Sequence, residues 1–243
     1  MFKYLKIQQS ESDLSSLLDP QSRLIALFKE TCPGSFKHSQ ALASMVESVG
    51  SSLGLNVIFM KVCALYHDIG KLFNSKYFSE NQAEGENIHD TLTPSMSYQM
   101  ITRHVSDGAL ILLNSRNFSR DIIDVVSQHH GTTVTKYFFD KSQTTDDAPF
   151  RYKTMKPQSL EAAILMMCDI TEAKTRSISQ SHPETLDPVL IINSTIDHLL
   201  NDGQLDDVYL RLGDLKTVKN ILINELDCIY QKRVDYDQVV GHK

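Results

Sequence analysis

Five histidines and two aspartates between residues 38 and 169 are the side chains of this chain best suited to chemistry. Two pairs are adjacent in sequence and three residues stand alone: His67-Asp68, His129-His130, His38, His104 and Asp169. Imidazoles and carboxylates together suit Fe, Mn or Zn, and the absence of a cysteine ligand disfavours a structural zinc site. Seven ligands exceed what one ion needs if water must also bind, so the set predicts two divalent metals. Two metals beside a basic residue are a device for cleaving phosphate esters.

Helical periodicity places each of the seven within or at the edge of a predicted helix. His38 falls in the first turn of a helix predicted over about residues 35–53. A helix predicted over about residues 159–177 is apolar on nearly all sides, so it should be central and carry Asp169 into the core. An unpaired carboxylate there would be costly, and a metal supplies the missing charge. The chain therefore reads as an all-α helical bundle around a dinuclear metal site.

Two segments without clear periodicity interrupt the helices, over residues 74–94 and 132–158. Polar stretches of this length inside a compact domain are usually functional or mobile. The second segment contains the basic residues Arg151 and Lys153. A short β-hairpin near residues 132–155 is the alternative to irregular structure there.

Composition excludes several classes of function. The net charge of −6 and the pI of about 5.8 argue against a broad cationic surface for duplex nucleic acid. Four cysteines without CxxC spacing indicate free thiols in a reducing compartment. No apolar run approaches the roughly 20 residues of a membrane span. The thiols fit a reducing cytoplasm, which is the location expected for this part of the protein.

The seven positions, with the HD pair inside YHDIGK, resemble the HD superfamily of metal phosphohydrolases. The resemblance narrows to HD domains of the PgpH type, the cytosolic part of seven-transmembrane receptors in the inner membrane of bacteria. It is carried by the runs PGSFKHS, YHDIGKLFNSKYFSENQ, LTPSMS, HVSDGA, QHHGT, FRYKTMKPQS, EAAILMMCD and NDGQLDD. It covers about residues 17–235, which leaves residues 1–16 as a lead-in and 236–243 as a tail.

The resemblance implies hydrolysis of cyclic di-AMP to pApA by a hydroxide held between two metals, commonly iron or manganese. One metal would be bound by His38, His67, Asp68 and Asp169, and the other by Asp68, His104, His129 and His130. Asp68 would thus be both a ligand and a catalytic residue. Lys71 would contact the phosphate, unless it only caps the end of its helix, where a cation is favourable. Arg151 and Lys153 are predicted as further substrate contacts, with a solvated loop as the alternative.

Two departures from the family pattern leave the substrate open. This chain has LFNSKYF and FRYKTMKP where the family usually has proline-containing basic runs. The alternatives are therefore another nucleotide, cyclic di-GMP, or a signalling domain that binds a nucleotide without turnover. The resemblance also implies attachment to a membrane through a preceding transmembrane region of a longer receptor, and a homodimer is considered.

Overall fold

Residues 10–83, 85 and 87–238 are described in this computed structural model of the chain. They form ten α-helices: α1 (Glu11–Ser16), α2 (Arg23–Thr31), α3 (Pro33–Leu53), α4 (Val57–Tyr66), α5 (Pro94–Ser115), α6 (Arg120–Gln128), α7 (Lys136–Ser142), α8 (Leu160–Ser181), α9 (Pro188–Asn201) and α10 (Leu212–Gln238). Six short 3-10 turns lie between them: Ile69–Phe73, Ser75–Tyr77, Ser79–Asn81, Ile88–Thr91, Ala148–Phe150 and Pro183–Thr185. The all-α prediction is confirmed.

The core lies where α3, α4 and α8 meet, and α6, α9 and α10 pack around it. All residues of α8 from Ala162 to Asp169 are buried, so the prediction that this apolar helix is central is correct. Most of α4 is buried as well, from Met60 through Tyr66 apart from Lys61. None of the described helices is both long enough and apolar enough to cross a lipid bilayer. The four cysteines are free, as the sequence predicts.

Most of the long helices begin at a residue that caps its own helix. The side chains of Asn56, Thr93, Ser119 and Ser159 each accept a hydrogen bond from a backbone N–H in the first turn of α4, α5, α6 and α8. Helix α3 differs, because Cys32 precedes it without a side-chain cap. Its start is instead bound by the first irregular segment.

The first irregular segment begins earlier than predicted, at residue 69, and its described part forms 3-10 turns that pack across α5 and the start of α3. Its contact with α5 is so close that a Cβ on Gly70 would lie 1.9 Å from the carbonyl oxygen of His104. A Cβ on Gly34 would lie equally close to the carbonyl oxygen of Glu80. Only glycine permits such approaches of backbone to backbone. These two glycines therefore let the turns over residues 69–81 lie directly over α3 and α5.

The second irregular segment, residues 132–158, contains α7, which the sequence did not predict. In the described part of the chain the β-hairpin considered near 132–155 is reduced to one isolated antiparallel bridge, between Val134 and Arg151. The expectation of a hairpin is therefore wrong. The physical reason is local, since residues 136–142 form a helix with an ion pair one turn apart, Lys136 Nζ to Asp140 Oδ1 at 2.7 Å. The helix follows Val134 almost at once, so on that side the pairing stops at the bridge.

Candidate metal centre

Five helices bring the seven predicted residues to one place. Helix α3 carries His38, α4 ends just before His67-Asp68, α5 carries His104, α6 ends just before His129-His130, and α8 carries Asp169. Six of the seven are at most 5% exposed, and only His130 is partly open, with 19% of its side chain exposed. The structure thus brings together all seven residues that the sequence selected.

Three of the histidines are oriented in the same way by the backbone. The Nδ1 atoms of His67, His104 and His129 each lie beside the carbonyl oxygen three residues earlier in the chain, at 2.8, 2.6 and 2.5 Å. A carbonyl only accepts, so Nδ1 carries the hydrogen and donates it. The Nε2 lone pair of each ring then points into the cluster. This is the arrangement that orients histidines that bind metals.

His38 is held by carboxylates rather than by the backbone. Its Nδ1 contacts Glu172 Oε2, and its Nε2 lies 2.9 Å from Asp169 Oδ1. Burial alone would lower the pKa of His38, but the hydrogen bonds to Asp169 and Glu172 outweigh burial and raise it to about 9. Glu172 is itself 4% exposed, and Arg176 Nε lies 3.4 Å from its Oε2.

Asp68 lies between the histidines of the cluster. Its Oδ2 is 3.2 Å from His67 Nε2, and its Oδ1 is 3.3 Å from His104 Nε2 and 4.0 Å from His129 Nε2. Among the described residues, neither Asp68 Oδ1 nor His67 Nε2 has a hydrogen-bond partner, although both atoms are buried. A buried polar atom without a partner is costly, and a bound cation would satisfy both. The donor set therefore fits a metal centre.

Ligand atoms close enough to share an ion fall into overlapping sets, each within 4.8 Å. We call His38, His67 and Asp68 the His38 group, and His104, His129 and His130 the His104 group. A third set, His67, His129 and Asp169, crosses between them. The cluster thus offers donors for more than one divalent ion, in agreement with the set predicted from sequence.

The protonation states follow from burial and from charge. Burial, followed by the nearby His67 and His104, lowers the pKa of His129 to about 3, so its ring is neutral. Burial also lowers the pKa of His104 and, with His129, that of His130. Burial would raise the pKa of Asp68, but His67 and Lys71 hold it well below its usual range. Neutral imidazoles and ionised carboxylates are the forms that bind metals.

Lys71 joins the centre to the first irregular segment. Its Nζ lies 2.7 Å from Asp68 Oδ2 and 2.7 Å from Glu80 Oε1, above the ring of Phe78 at 4.6 Å from the centroid. Burial would lower the pKa of Lys71, but Asp68 and Glu80 outweigh burial and raise it. Burial would raise the pKa of Glu80, but Lys71 lowers it to about 2. Lys71 is therefore a permanent cation beside Asp68.

Arg151 and Lys153 are not brought to the cluster by any contact that the structure describes. All five N–H groups of the Arg151 guanidinium donate to protein oxygens, of Asp147, Asp202 and the Thr132 carbonyl. Lys153 Nζ donates to the carbonyl of Ala148 at the surface. Successive side chains of an extended segment point to opposite sides. The residue between them, Tyr152, is the one that faces the cluster, since its ring stacks on His130 at 4.3 Å.

Four residues at or behind the centre escaped the sequence analysis: Glu172, Glu80, Asn81 and Tyr152. A signal existed for Glu172, because it follows Asp169 by three residues on a buried helix and so shares its face. Glu80 and Asn81 lie in a segment without periodicity, where no pattern selects a residue. Asn81 Oδ1 accepts hydrogen bonds from Gly34 N at 3.0 Å and Ser35 N at 3.2 Å, so it supplies the missing cap of α3.

Comparison with known proteins agrees with this geometry. The HD domain family matches residues 35–174. The cyclic-di-AMP phosphodiesterase PgpH of Listeria monocytogenes (serotype 1/2a, strain 10403S) is 36% identical to this chain over 229 residues, which are 93% of this chain and 32% of that protein. PgpH of Bacillus subtilis (strain 168) is 34% identical with the same coverage. The chain thus spans about a third of the length of these relatives.

Solved structures give the same relationship. The crystal structure of the PgpH HD domain from L. monocytogenes matches with a TM-score of 0.81 at 36% identity, over 86% of this chain and 100% of that one. The crystal structure of that domain in complex with cyclic-di-AMP also gives a TM-score of 0.81, at 35% identity, over 87% of this chain and 100% of that one. From the family match and these structures, this chain belongs to the HD domain family and is an HD domain of the PgpH type.

Proposed function

We propose that this chain is a metal-dependent phosphodiesterase that hydrolyses cyclic di-AMP to the linear dinucleotide pApA. The observation that carries the proposal is the position of Asp68, one carboxylate within 4.0 Å of three imidazole nitrogens, with one of its oxygens buried and unpaired. The names of the PgpH relatives and the cyclic-di-AMP complex of one of them supply the substrate.

The proposed ligands are the seven residues selected from sequence. One metal would be held by His38, His67, Asp68 and Asp169, and the other by Asp68, His104, His129 and His130. Asp68 would bridge the two. The division is supported by the His38 and His104 groups, and the third set shows that His129 and Asp169 lie close to the boundary between them. The mixture of imidazole and carboxylate donors suits iron or manganese, which we propose as the metals.

When bound, two divalent metals polarise the phosphate and lower the pKa of a bound water to about 7. The remaining work falls to the chain. Backbone carbonyls fix the rings of His67, His104 and His129 before any metal binds, so little reorganisation is needed. Burial of the cluster removes competing water and strengthens each charge interaction inside it.

Lys71 is the proposed phosphate contact of the chain. Its ammonium is fixed between Asp68 and Glu80, 12% exposed, and it stays charged. With Asp68 serving as a metal ligand, Lys71 would keep Glu80 as its ion-pair partner, and its ammonium could attract a phosphate oxygen. For Arg151 and Lys153 the contacts with Asp147, Asp202 and Ala148 offer no such support, and their role toward substrate stays a prediction.

Turnover by the purified chain, loaded with manganese or ferrous iron, tests the proposal. Cyclic di-AMP and cyclic di-GMP are offered in parallel, with Asp68→Asn as the variant that lacks the bridge. We expect rapid formation of pApA, and a loss of about 1000-fold or more in the variant. Protein that holds two metals and cleaves neither dinucleotide would contradict the proposal. Faster cleavage of cyclic di-GMP would make that dinucleotide the preferred substrate and leave the proposed hydrolysis unchanged.

Four further statements about the whole protein are proposals. The domain limits of 17–235, with a lead-in over 1–16 and a tail over 236–243, are proposed from the resemblance, and Leu14 of α1 packs into the core. Residues 1–9 and 239–243 lie outside the described residues. A cytosolic position below a bacterial inner membrane, attachment through a preceding transmembrane region, and a homodimer are likewise proposed from the resemblance.

A further inference from the structure

Tyr152 reaches the cluster from the second irregular segment. Its ring stacks on His130 with 4.3 Å between centroids and 27° between planes, and it meets the ring of His104 edge-on at 6.3 Å. Only 7% of the residue is exposed. After burial, the groups that act on the pKa of its hydroxyl are Lys71, Asp68 and Asp169 of the centre, followed by Tyr98. The phenol therefore lies beside the place where a phosphate would be held.

The hydroxyl of Tyr152 has no hydrogen-bond partner among the described residues. This distinguishes it from Tyr66, which donates to the carbonyl of Leu17, and from Tyr98, which donates to the carbonyl of Arg151. A hydroxyl on a side chain that is mostly buried usually has a partner, and one that lacks it at a functional site is a candidate for a ligand contact. Burial raises the pKa of Tyr152, so the group stays protonated and can only be a neutral donor or acceptor.

The flanking residues hold Tyr152 in place. Its backbone N–H donates to the carbonyl of Thr133 at 3.0 Å, and the carbonyl of Arg151 accepts from Tyr98 at 2.6 Å. The Arg151 guanidinium is bound to Asp147 and Asp202, which fixes the chain on the side away from the cluster. Arg151 thus acts here as a positioning residue. A rigidly held donor loses little entropy when a ligand binds.

We propose that the Tyr152 hydroxyl donates a hydrogen bond to an oxygen of the phosphodiester at the centre, a contact that rests on the proposed function. Lys71 approaches from the Asp68 side of the cluster and Tyr152 from the His130 side. An anionic phosphate between them would have a cation on one side and a neutral donor on the other. The hydroxyl, rather than the ring, is then the part of Tyr152 that the reaction uses.

The test compares Tyr152→Phe with the wild-type chain and with Tyr137→Phe, a control that loses a hydroxyl from an exposed tyrosine of the same segment. Three quantities are measured on manganese-loaded protein: metals per chain, kcat/KM for cyclic di-AMP, and the Kd for inorganic phosphate by calorimetry. We expect Tyr152→Phe to keep its metals and to lose about 10- to 100-fold in kcat/KM, as removal of a hydrogen bond to a charged group does. Its phosphate affinity should fall as well, and Tyr137→Phe should match the wild type.

The outcomes separate the contact from the function on which it rests. Tyr152→Phe that matches the wild type in both turnover and phosphate affinity would overturn the contact, because the ring alone would suffice. Loss of metal in Tyr152→Phe would also overturn it, since Tyr152 would then act only through His130. A wild-type chain that cleaves no cyclic dinucleotide, but binds phosphate more tightly than Tyr152→Phe, would remove the proposed function and leave the contact supported.

Discussion

The His38 group and the His104 group are surrounded by different kinds of side chain. Around His38 lie three carboxylates, of Asp68, Asp169 and Glu172, with the cation of Lys71 beside Asp68. The His104 group consists of three imidazoles, two of them held by backbone carbonyls. Aromatic rings border the His104 group, from Phe78 against His104 and from Tyr152 on His130. The half of the centre around His38 is thus charged, and the half formed by the His104 group is neutral.

This difference predicts unequal metal sites. A divalent ion beside two or three carboxylates is attracted by charge as well as by lone pairs, whereas three neutral imidazoles offer lone pairs alone. The His104 group takes its negative charge from carboxylates that it shares with the other half, Asp68 at 3.3 Å from His104 Nε2 and Asp169 at 3.7 Å from His130 Nδ1. We therefore expect the His38 group to bind its metal more tightly and the His104 group to bind the second metal more weakly.

The greatest loss of stability is expected when the cation beside Asp68 is removed from the charged half of the centre. Lys71→Met leaves Glu80 buried without its cation and removes the same cation from Asp68. Breaking a buried ion pair by removing one partner costs about 3–5 kcal/mol, so unfolding of the metal-free protein in urea should require that much less free energy. Lys76→Met, an exposed lysine on the next turn, is the matched control and should cost far less. Equal losses in the two variants would contradict the network.

Titration of the metal-free protein should separate the two halves by pH. His38 has a folded pKa of about 9, above the usual 6.5, so its contribution to stability is complete below pH 6.5 and is lost as pH rises toward 9. His129 has a folded pKa of about 3, so its contribution is present above pH 6.5 and is lost as pH falls toward 3. Imidazole NMR signals should show the two transitions apart. If His38 and His129 titrated over the same pH range, the proposed difference between the two halves would be contradicted.

Glu172 should affect metal affinity only in the half of the centre around His38. Glu172→Gln keeps the shape of the side chain but removes the charge that supports His38 Nδ1. Loss of an outer partner of a ligand usually costs 10- to 100-fold in metal affinity, and because glutamine can still accept a hydrogen bond we expect about 10-fold for the tighter metal. Chelator competition measures this affinity. Glu161→Gln in the first turn of α8 is the control. If Glu172→Gln bound the tighter metal with unchanged affinity, Glu172 would have no role in supporting His38.

The smallest predicted effect separates a helix cap from the metal centre. Asn81→Ala removes the cap of α3, and Asn56→Ala removes that of α4. Each should lower the free energy of unfolding by about 1 kcal/mol. Only Asn81→Ala should also weaken the tighter metal, because α3 carries His38. Equal metal affinity in the two variants would show that the start of α3 is irrelevant to the charged half.

The sequence sufficed to select the seven residues that converge in the cluster, and it fell short for the groups behind them. Histidines and aspartates on amphipathic or buried helices are visible because periodicity and residue type coincide, as for His67-Asp68 and Asp169. Glu80, Asn81 and Tyr152 lie in segments whose structure is set by packing against distant helices, so no local pattern selects them. Arg151 shows the converse, since its charge suggested a substrate contact whereas its five donors are used by protein oxygens. The irregular segments were located correctly, but helix α7 within the second one was missed.

Counting metals in the purified protein tests whether the centre holds two metals of unequal affinity. Manganese is titrated by calorimetry into metal-free wild-type chain and into His104→Ala, and bound metal is confirmed by elemental analysis. We predict two metals of unequal affinity in the wild type, and one in His104→Ala with the tighter affinity retained. A single metal in the wild type, or loss of the tighter metal in His104→Ala, would contradict a dinuclear centre with a charged and a neutral half.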